Sequence, residues 1–130
     1  MTIEDFKEKY HYFNAISDDG LNIGGASVEH NDFMHNAYKE HCNADSTKCV
    51  KIIYVTVSKS YRCQGVATAL LNKVLDYYKD YDVFLNVCPL DREQEKLNSV
   101  SSLTKFYEKF GFKRCENPGN TPAMVRPAIL

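Results

Sequence analysis

Between Gly65 and Tyr78 the apolar positions Val66, Leu70, Val74 and Tyr77 recur at three- and four-residue steps, with Leu71, Leu75 and Tyr78 beside them. That period predicts an amphipathic helix with a broad buried stripe. Leu103, Phe106, Tyr107 and Phe110 fall at i, i+3, i+4 and i+7 and predict a second helix. Ser99, Ser101 and Ser102 suit its start, and Gly111 suits the left-handed position past its end. Other segments have a strand texture. "CVKIIYVTV", Cys49 to Val57, is dense in β-branched residues and predicts a central strand. "YDVFLNVC", Tyr81 to Cys88, predicts another, which Pro89 closes because it has no N–H for a ladder. "HYFNAIS" and "LNIGGASVEH" flank "DDG", Asp18 to Gly20, as in a hairpin. "FKRCEN", a "PGN" turn and "PAMVRPAIL" predict a closing hairpin, with Pro122 and Pro127 marking its last strand as an edge or frayed one. The first nine residues fit a strand or a helix equally, and residues 31–48 are polar, with weak helix or loop character.

In chain order this is a run of strands, then strand–helix–strand–helix, then a hairpin, which predicts an α/β fold with a mixed sheet. The unit over residues 49–88 reads as a βαβ crossover, so its two strands are expected to be parallel and its hand right-handed. A chain of 130 residues without repeats, linkers or low-complexity tracts suits one domain over 1–130. Apolar content of 44% and charged content of 25% are those of a globular protein. The net charge of -1 offers no basic field for nucleic acid. No run of about 18 apolar residues is present to span a membrane. "MTIEDFKEKY" is too polar for a secretory signal, and five dispersed cysteines without a C-x-x-C pair read as reduced thiols of a cytoplasmic protein.

The densest chemical signal is the corner "RCQGVAT", Arg62 to Thr68, where a strand-like run turns into a helix start. The first amides of a helix lack partners and carry partial positive charge, so they suit a phosphate wherever no bulky side chain shields them. Gly65 lets a ligand approach the main chain, Ala67 is small, and Arg62 has the length to reach a phosphate. Neither the three-glycine dinucleotide fingerprint nor a P-loop G-K-[ST] is present. On these residues alone, an ordinary strand-to-helix turn with a tolerant glycine fits equally well.

The surroundings favour the ligand corner. "VTVSKSYRCQGVATALLNKVL" resembles the coenzyme-binding segment of the GCN5-related N-acetyltransferases, in which an L-x-V-like strand end precedes [RQ]-x-x-G-x-[GA]. Here those elements are Val55-Thr56-Val57 and Arg62 to Ala67. "FYEKFGF", Phe106 to Phe112, resembles that family's second signature, "DDGLNIGGASVE" its early hairpin and "MVRPAIL" its last strand. The resemblance covers roughly residues 12 to 129 and implies transfer of an acetyl group from acetyl-coenzyme A to a primary amine. It implies a compact mixed sheet with a C-terminal hairpin and short or missing N-terminal helices. By the same carry-over, amides of Cys63, Gln64, Gly65, Val66, Ala67 and Thr68 bind the pyrophosphate, with Arg62 nearby. Backbone groups of Val55 and Val57 hold the pantetheine arm where strands 49–57 and 81–88 splay apart. An N–H of the first strand polarises the thioester carbonyl, and Tyr107 is the general acid for the leaving thiolate.

Three departures from the family pattern bear on the site. Lys51 stands where a strand glutamate base would fall, which leaves Glu29, or a water relay through His30 or Asp32, as the base. Val100 stands where an asparagine is usual, so Asn98 or Ser101 is expected to take over that pantetheine contact. Helices that commonly precede the early hairpin have no room in the first ten residues. The acceptor site is therefore expected to be shallow, or completed by loops 31–48 and 89–98 or by a second subunit of a homodimer. His30, His35, His41, Cys42 and Cys49 have no standard zinc spacing, so no metal is expected. Cys63 at a helix start invites a covalent acyl-cysteine route, but no His neighbours it in sequence, and direct transfer in a ternary complex is the favoured expectation. The acids of "LDREQEK" read as a solvated face and, with Asp18 and Asp19, hint at a cationic acceptor. The acceptor is a small molecule or a protein; the alternative function is a non-catalytic coenzyme- or protein-binding module on the same fold.

Overall fold

A computed structural model describes residues 1–31, 48–87, 100–115 and 123–129, and no side chain at Val100 or Ser101. Asp32, His35, His41, Cys42, Cys88, Pro89, the "LDREQEKLN" loop with Asn98, Ser99, the "PGN" turn and Pro122 lie outside the described residues. Strands β1 (Thr2–Lys7), β2 (Tyr10–Ile16), β3 (Asn22–Glu29) and β4 (Cys49–Val57) come first. Helix α1 (Val66–Tyr77), β5 (Asp82–Asn86), helix α2 (Val100–Glu108), β6 (Lys113–Arg114) and β7 (Ala123–Arg126) follow. They build one mixed sheet in the order β1-β2-β3-β4-β5-β7-β6. The N-terminal residues resolve as a strand, and Glu8–Lys9 carry the chain straight into β2. The DDG turn closes with Gly20 at φ 83°, a value that glycine adopts without a Cβ penalty. The crossover pair β4–β5 is parallel, as the βαβ reading predicts.

One expectation is corrected. β7 is not an edge strand: it pairs with β5 on one side and β6 on the other, and the two-residue β6 is the edge. Pro127 follows Arg126, the last paired residue, so its missing N–H costs the ladder nothing.

Cross-strand rows show which side chains share a face. His11, Val28, Ile52, Leu85 and Met124 stand in register across five strands, and all are buried. Both helices pack on this face: Leu70, Leu71 and Val74 of α1 are fully enclosed in its core, and Leu103, Phe106 and Tyr107 of α2 rest against it. The other face carries a smaller cluster of Cys49, Phe84 and Ala123, with Cys115 and Val125 against it. Between Ile52 and Tyr54 the register slips by one residue, which makes Ile53 a β-bulge, 45% exposed. A bulge inverts the alternation beyond it. Val55 and Val57 therefore join the helix face, while Tyr54 and Thr56 turn to the helix-free face.

Three contacts seat α1. At its start, a Cβ on Gly24 would lie 2.9 Å from Thr56 O and 3.1 Å from Val66 Cγ1, so only glycine admits the helix this close to β3. At its end, the Nη2 of buried Arg126 donates to the carbonyls of Leu75 (3.4 Å) and Tyr78 (3.2 Å), the second of which also accepts the Tyr81 N–H at 3.0 Å. Tyr78 OH meets His11 Nδ1 at 2.6 Å, and His11 Nε2 meets Asp5 Oδ2 at 2.7 Å, which ties the edge strand β1 to the helix. Gly24→Ala is expected to lower stability by about 1–3 kcal/mol through overpacking against backbone. Gly25→Ala meets only the movable Asn14 Oδ1 at 3.3 Å and Phe13 O at 3.4 Å and should cost less. Urea denaturation of both variants checks this; equal losses would mean that close approach of α1 is not what Gly24 provides.

Candidate active site

β4 and β5 pair only from Cys49↔Asp82 to Ile52↔Leu85. β4 then continues through Val57, and no described strand lies beside Ile53–Val57 on the β5 side. Main-chain groups of that stretch that point away from β3 are left for another partner, as at any open strand edge. The parting leads into a cleft of about 340 Å³. Val55 and Val57 form one wall, the 61–68 turn and the start of α1 form the end, and Leu103, Phe106 and Tyr107 of α2 form the other wall.

The corner is built by a short 3-10 turn, Lys59–Tyr61, followed by two left-handed residues, Cys63 at φ 64° and Gly65 at φ 81°. Left-handed residues in such a turn make successive amides converge into an anion-binding concavity. Gly65 is the N-cap of α1, no side chain caps it, and a Cβ there would meet nothing within 4 Å. The helix ladder begins with Ala69 N–H to Gly65 O, so the amides of Gly65, Val66, Ala67 and Thr68 precede it and have no intrahelical acceptor. The structure thus brings Val55, Val57, Arg62, Cys63, Gly65, Val66, Ala67, Thr68 and Tyr107 together around one space. Gln64 sits in the same turn, its side-chain amide donating to Ser60 O at 3.2 Å. Arg62 folds back: its Nε donates to Val57 O at 3.1 Å, while its Nη1 is buried without a partner.

Tyr107 stands mostly buried between Phe106 and Phe112, with ring centroids 5.4 and 5.6 Å away. Burial pushes its phenol up to about 12, so it carries its proton throughout the neutral range. Glu29 does not line the cleft. It stands opposite Lys51, accepts from Asn31 Nδ2 at 2.8 Å, and belongs to the helix-free face. Along β4, Lys51 and Val55 are about 13 Å apart at strand rise. His30 Nε2 bonds Glu8 O at 3.1 Å, and no group of three metal-ligating side chains occurs among the described residues. Tyr61, Leu103 and Phe106 are lining residues that sequence reasoning did not assign to the site. For the two α2 residues the signal was present, since they share Tyr107's helical stripe.

The chain is thus an α/β protein whose central parallel strands part beside an uncapped helix start. Residues 2–112 match the model of the Acetyltransferase (GNAT) family, and the chain belongs to that family. No curated sequence matches the chain. Similar solved structures include a histone acetyltransferase HPA2-related protein of Corynebacterium glutamicum, 17% identical with a TM-score of 0.65 over 94% of this chain and 66% of that one. PaiA N-acetyltransferase of Thermoplasma acidophilum, in complex with coenzyme A, is 18% identical with a TM-score of 0.61 over 89% and 59%. YhbS of Escherichia coli, in complex with CoA, is 22% identical with a TM-score of 0.58 over 89% and 57%. The chain thus spans about two thirds or less of the length of these structures. No helix among the described residues is long and apolar enough to cross a membrane.

The raised groups carry a pH prediction. Tyr107 titrates near 12 in the fold against an ordinary 10.0, Cys49 is raised to about 11 by burial and the nearby Asp82, and Tyr78 is raised, mainly by burial. Above each ordinary value the unfolded chain loses a proton that the native chain keeps. Stability is therefore full below about pH 9 and falls as pH rises through 12. The thermal midpoint of the Tyr107→Phe variant, followed from pH 8 to 12, should fall less steeply than that of the natural chain.

Proposed function

We propose that the protein transfers the acetyl group of acetyl-coenzyme A to a primary amine by direct attack in a ternary complex. The observation that carries this reading is the parting of β4 and β5 beside the bare amides of residues 65–68. The amides and the corner take the pyrophosphate, the open edge of Val55 and Val57 takes the pantetheine arm as an added strand does, and the thioester lies toward Tyr107. Asn98 or Ser101 completes the pantetheine contact.

In the reaction the acceptor nitrogen forms a bond to the thioester carbonyl carbon, a strand N–H steadies the oxyanion, and the C–S bond then breaks. The nitrogen's proton passes to Glu29 through water, since no carboxylate among the described residues lines the cleft. The sulfur leaves as thiolate and receives its proton on the Tyr107 side. A phenol near 12 is a weaker acid than a thiol near 8.5, so its contribution begins as a hydrogen bond to the developing charge. Cytoplasmic location and a homodimer remain part of this reading.

Calorimetric titration with acetyl-coenzyme A, with coenzyme A and NAD as controls, tests it. Gly65→Glu should abolish coenzyme binding, because the side chain would project into the open space at the corner with a repelling charge and strain at φ 81°. Tyr107→Phe should spare binding and lower turnover by about 10²-fold or more. The natural enzyme should show no alkaline loss of kcat from this residue below about pH 11. Normal binding by Gly65→Glu would remove the corner assignment, and full turnover by Tyr107→Phe at every pH would remove the acid. Coenzyme binding without turnover of any amine would select the non-catalytic module.

A further inference from the structure

Behind the coenzyme cleft, on the helix-free face, lies a second depression of about 390 Å³. Its floor is the row Asn14–Gly25–Thr56, three cross-strand partners of β2, β3 and β4. Gly25 makes the depth: any Cβ there would press on Asn14 Oδ1 at 3.3 Å. Asn14 and Asn22, joined by an Nδ2–Oδ1 bond of 3.2 Å, stand at one rim, with Tyr54 on β4 and Lys59 and Arg62 at the 3-10 turn. Among the described residues the lining holds two cationic side chains and no carboxylate. Val57 and Arg62 line both this depression and the cleft, so the two spaces meet at the same stretch of β4.

Two orphaned polar atoms lie near this stretch. Arg62 Nη1 is a buried donor without an acceptor, and Asn86 Oδ1, at the end of β5, is a buried acceptor without a donor. Extending the β4–β5 register one step beyond Ile52↔Leu85 sets Asn86 level with the bulge at Ile53, and strand alternation puts it on the face of Phe84, the helix-free face. Buried polar atoms of this kind cost stability unless a partner arrives. A ligand lying along β4 on this face meets positive charge at the Lys59 and Arg62 end, while Asn86, outside the lining, stands level with the bulge at the other end.

We propose that this depression is the acceptor site and that the acceptor is a small primary amine carrying an anionic group, a phosphate or a carboxylate. The anion sits against Lys59 and Arg62, Asn14 and Thr56 hold the connecting part, and the amine is presented toward Asn86 and the parted edge of β4. The assignment rests on the acetyltransferase reading and reverses the cationic hint of Asp18 and Asp19. Those acids lie in the β2–β3 turn, outside the lining.

The test is calorimetric titration of the full chain, with and without coenzyme A, using 3-aminopropyl phosphate and 4-aminobutyrate as anionic amines. Matched controls are 3-aminopropanol, which lacks the anion, and propyl phosphate, which lacks the amine. At least one anionic amine should bind about tenfold tighter than both controls, and the one that does identifies the anion. Asn14→Leu and Thr56→Val should each weaken that binding about tenfold while leaving acetyl-coenzyme A binding unchanged. Equal binding of 3-aminopropanol, or indifference to both variants, overturns the proposal. So does parallel loss of acetyl-coenzyme A binding in the variants, which would give the depression to the coenzyme. Binding of the anionic amine by a protein that ignores acetyl-coenzyme A would keep the depression as a ligand site and sink the transferase reading instead.

Discussion

The site depends on how closely α1 can lie against β3. The first turn of the helix touches the sheet at Gly24, where 2.9 Å separates a hypothetical Cβ from Thr56 O. Had any side chain stood there, Val66 would be displaced, and the bare amides that follow Gly65 would lift away from the end of β4. Arg126 at the far end and the Tyr78–His11–Asp5 chain fix the helix against rotation. The amides, the open strand edge and the aromatic wall of α2 are consequently held against one shared core.

The second constraint is the early end of the β4–β5 pairing. Parallel strands that part lose ladder bonds, a cost that a fold carries only where another partner completes the edge. Here the unpaired stretch is also the stretch where the bulge at Ile53 has shifted alternation. One strand therefore presents apolar Val55 and Val57 to the cleft and polar Tyr54 and Thr56 to the reverse face. Strand alternation separates the apolar wall of the cleft from the polar reverse face, and the slip at Ile53 sets which residues take which side.

Much of this was legible in the chain itself. The helical stripe from Val66, the β-branched run of Cys49–Val57 and the turn at Gly20 are local signals, and local signals survive into the fold. Gly65 and the small Ala67 alone left the corner even with an ordinary turn; the motifs around them carried the resemblance, and the family match over residues 2–112 agrees with it. What escaped was set by distance in sequence. Pro127 suggested an edge, but strand order is decided by which partner β7 finds, and β6 supplies one. Likewise the row Asn14–Gly25–Thr56 unites residues from three strands, and no spacing within one segment foretells it.

Ile53 has a consequence for how this protein can change over time. Deleting it would remove the bulge and leave the faces of β4 as they are. Keeping it while straightening the β3–β4 register would make the walls of the two spaces trade places, with Tyr54 and Thr56 entering the cleft and the two valines lining the reverse face. No sequence of single conservative replacements achieves that exchange or repairs it. The two surfaces are thus inherited as a linked pair, and variation at either one is confined to side-chain identity while the phase of β4 stays locked.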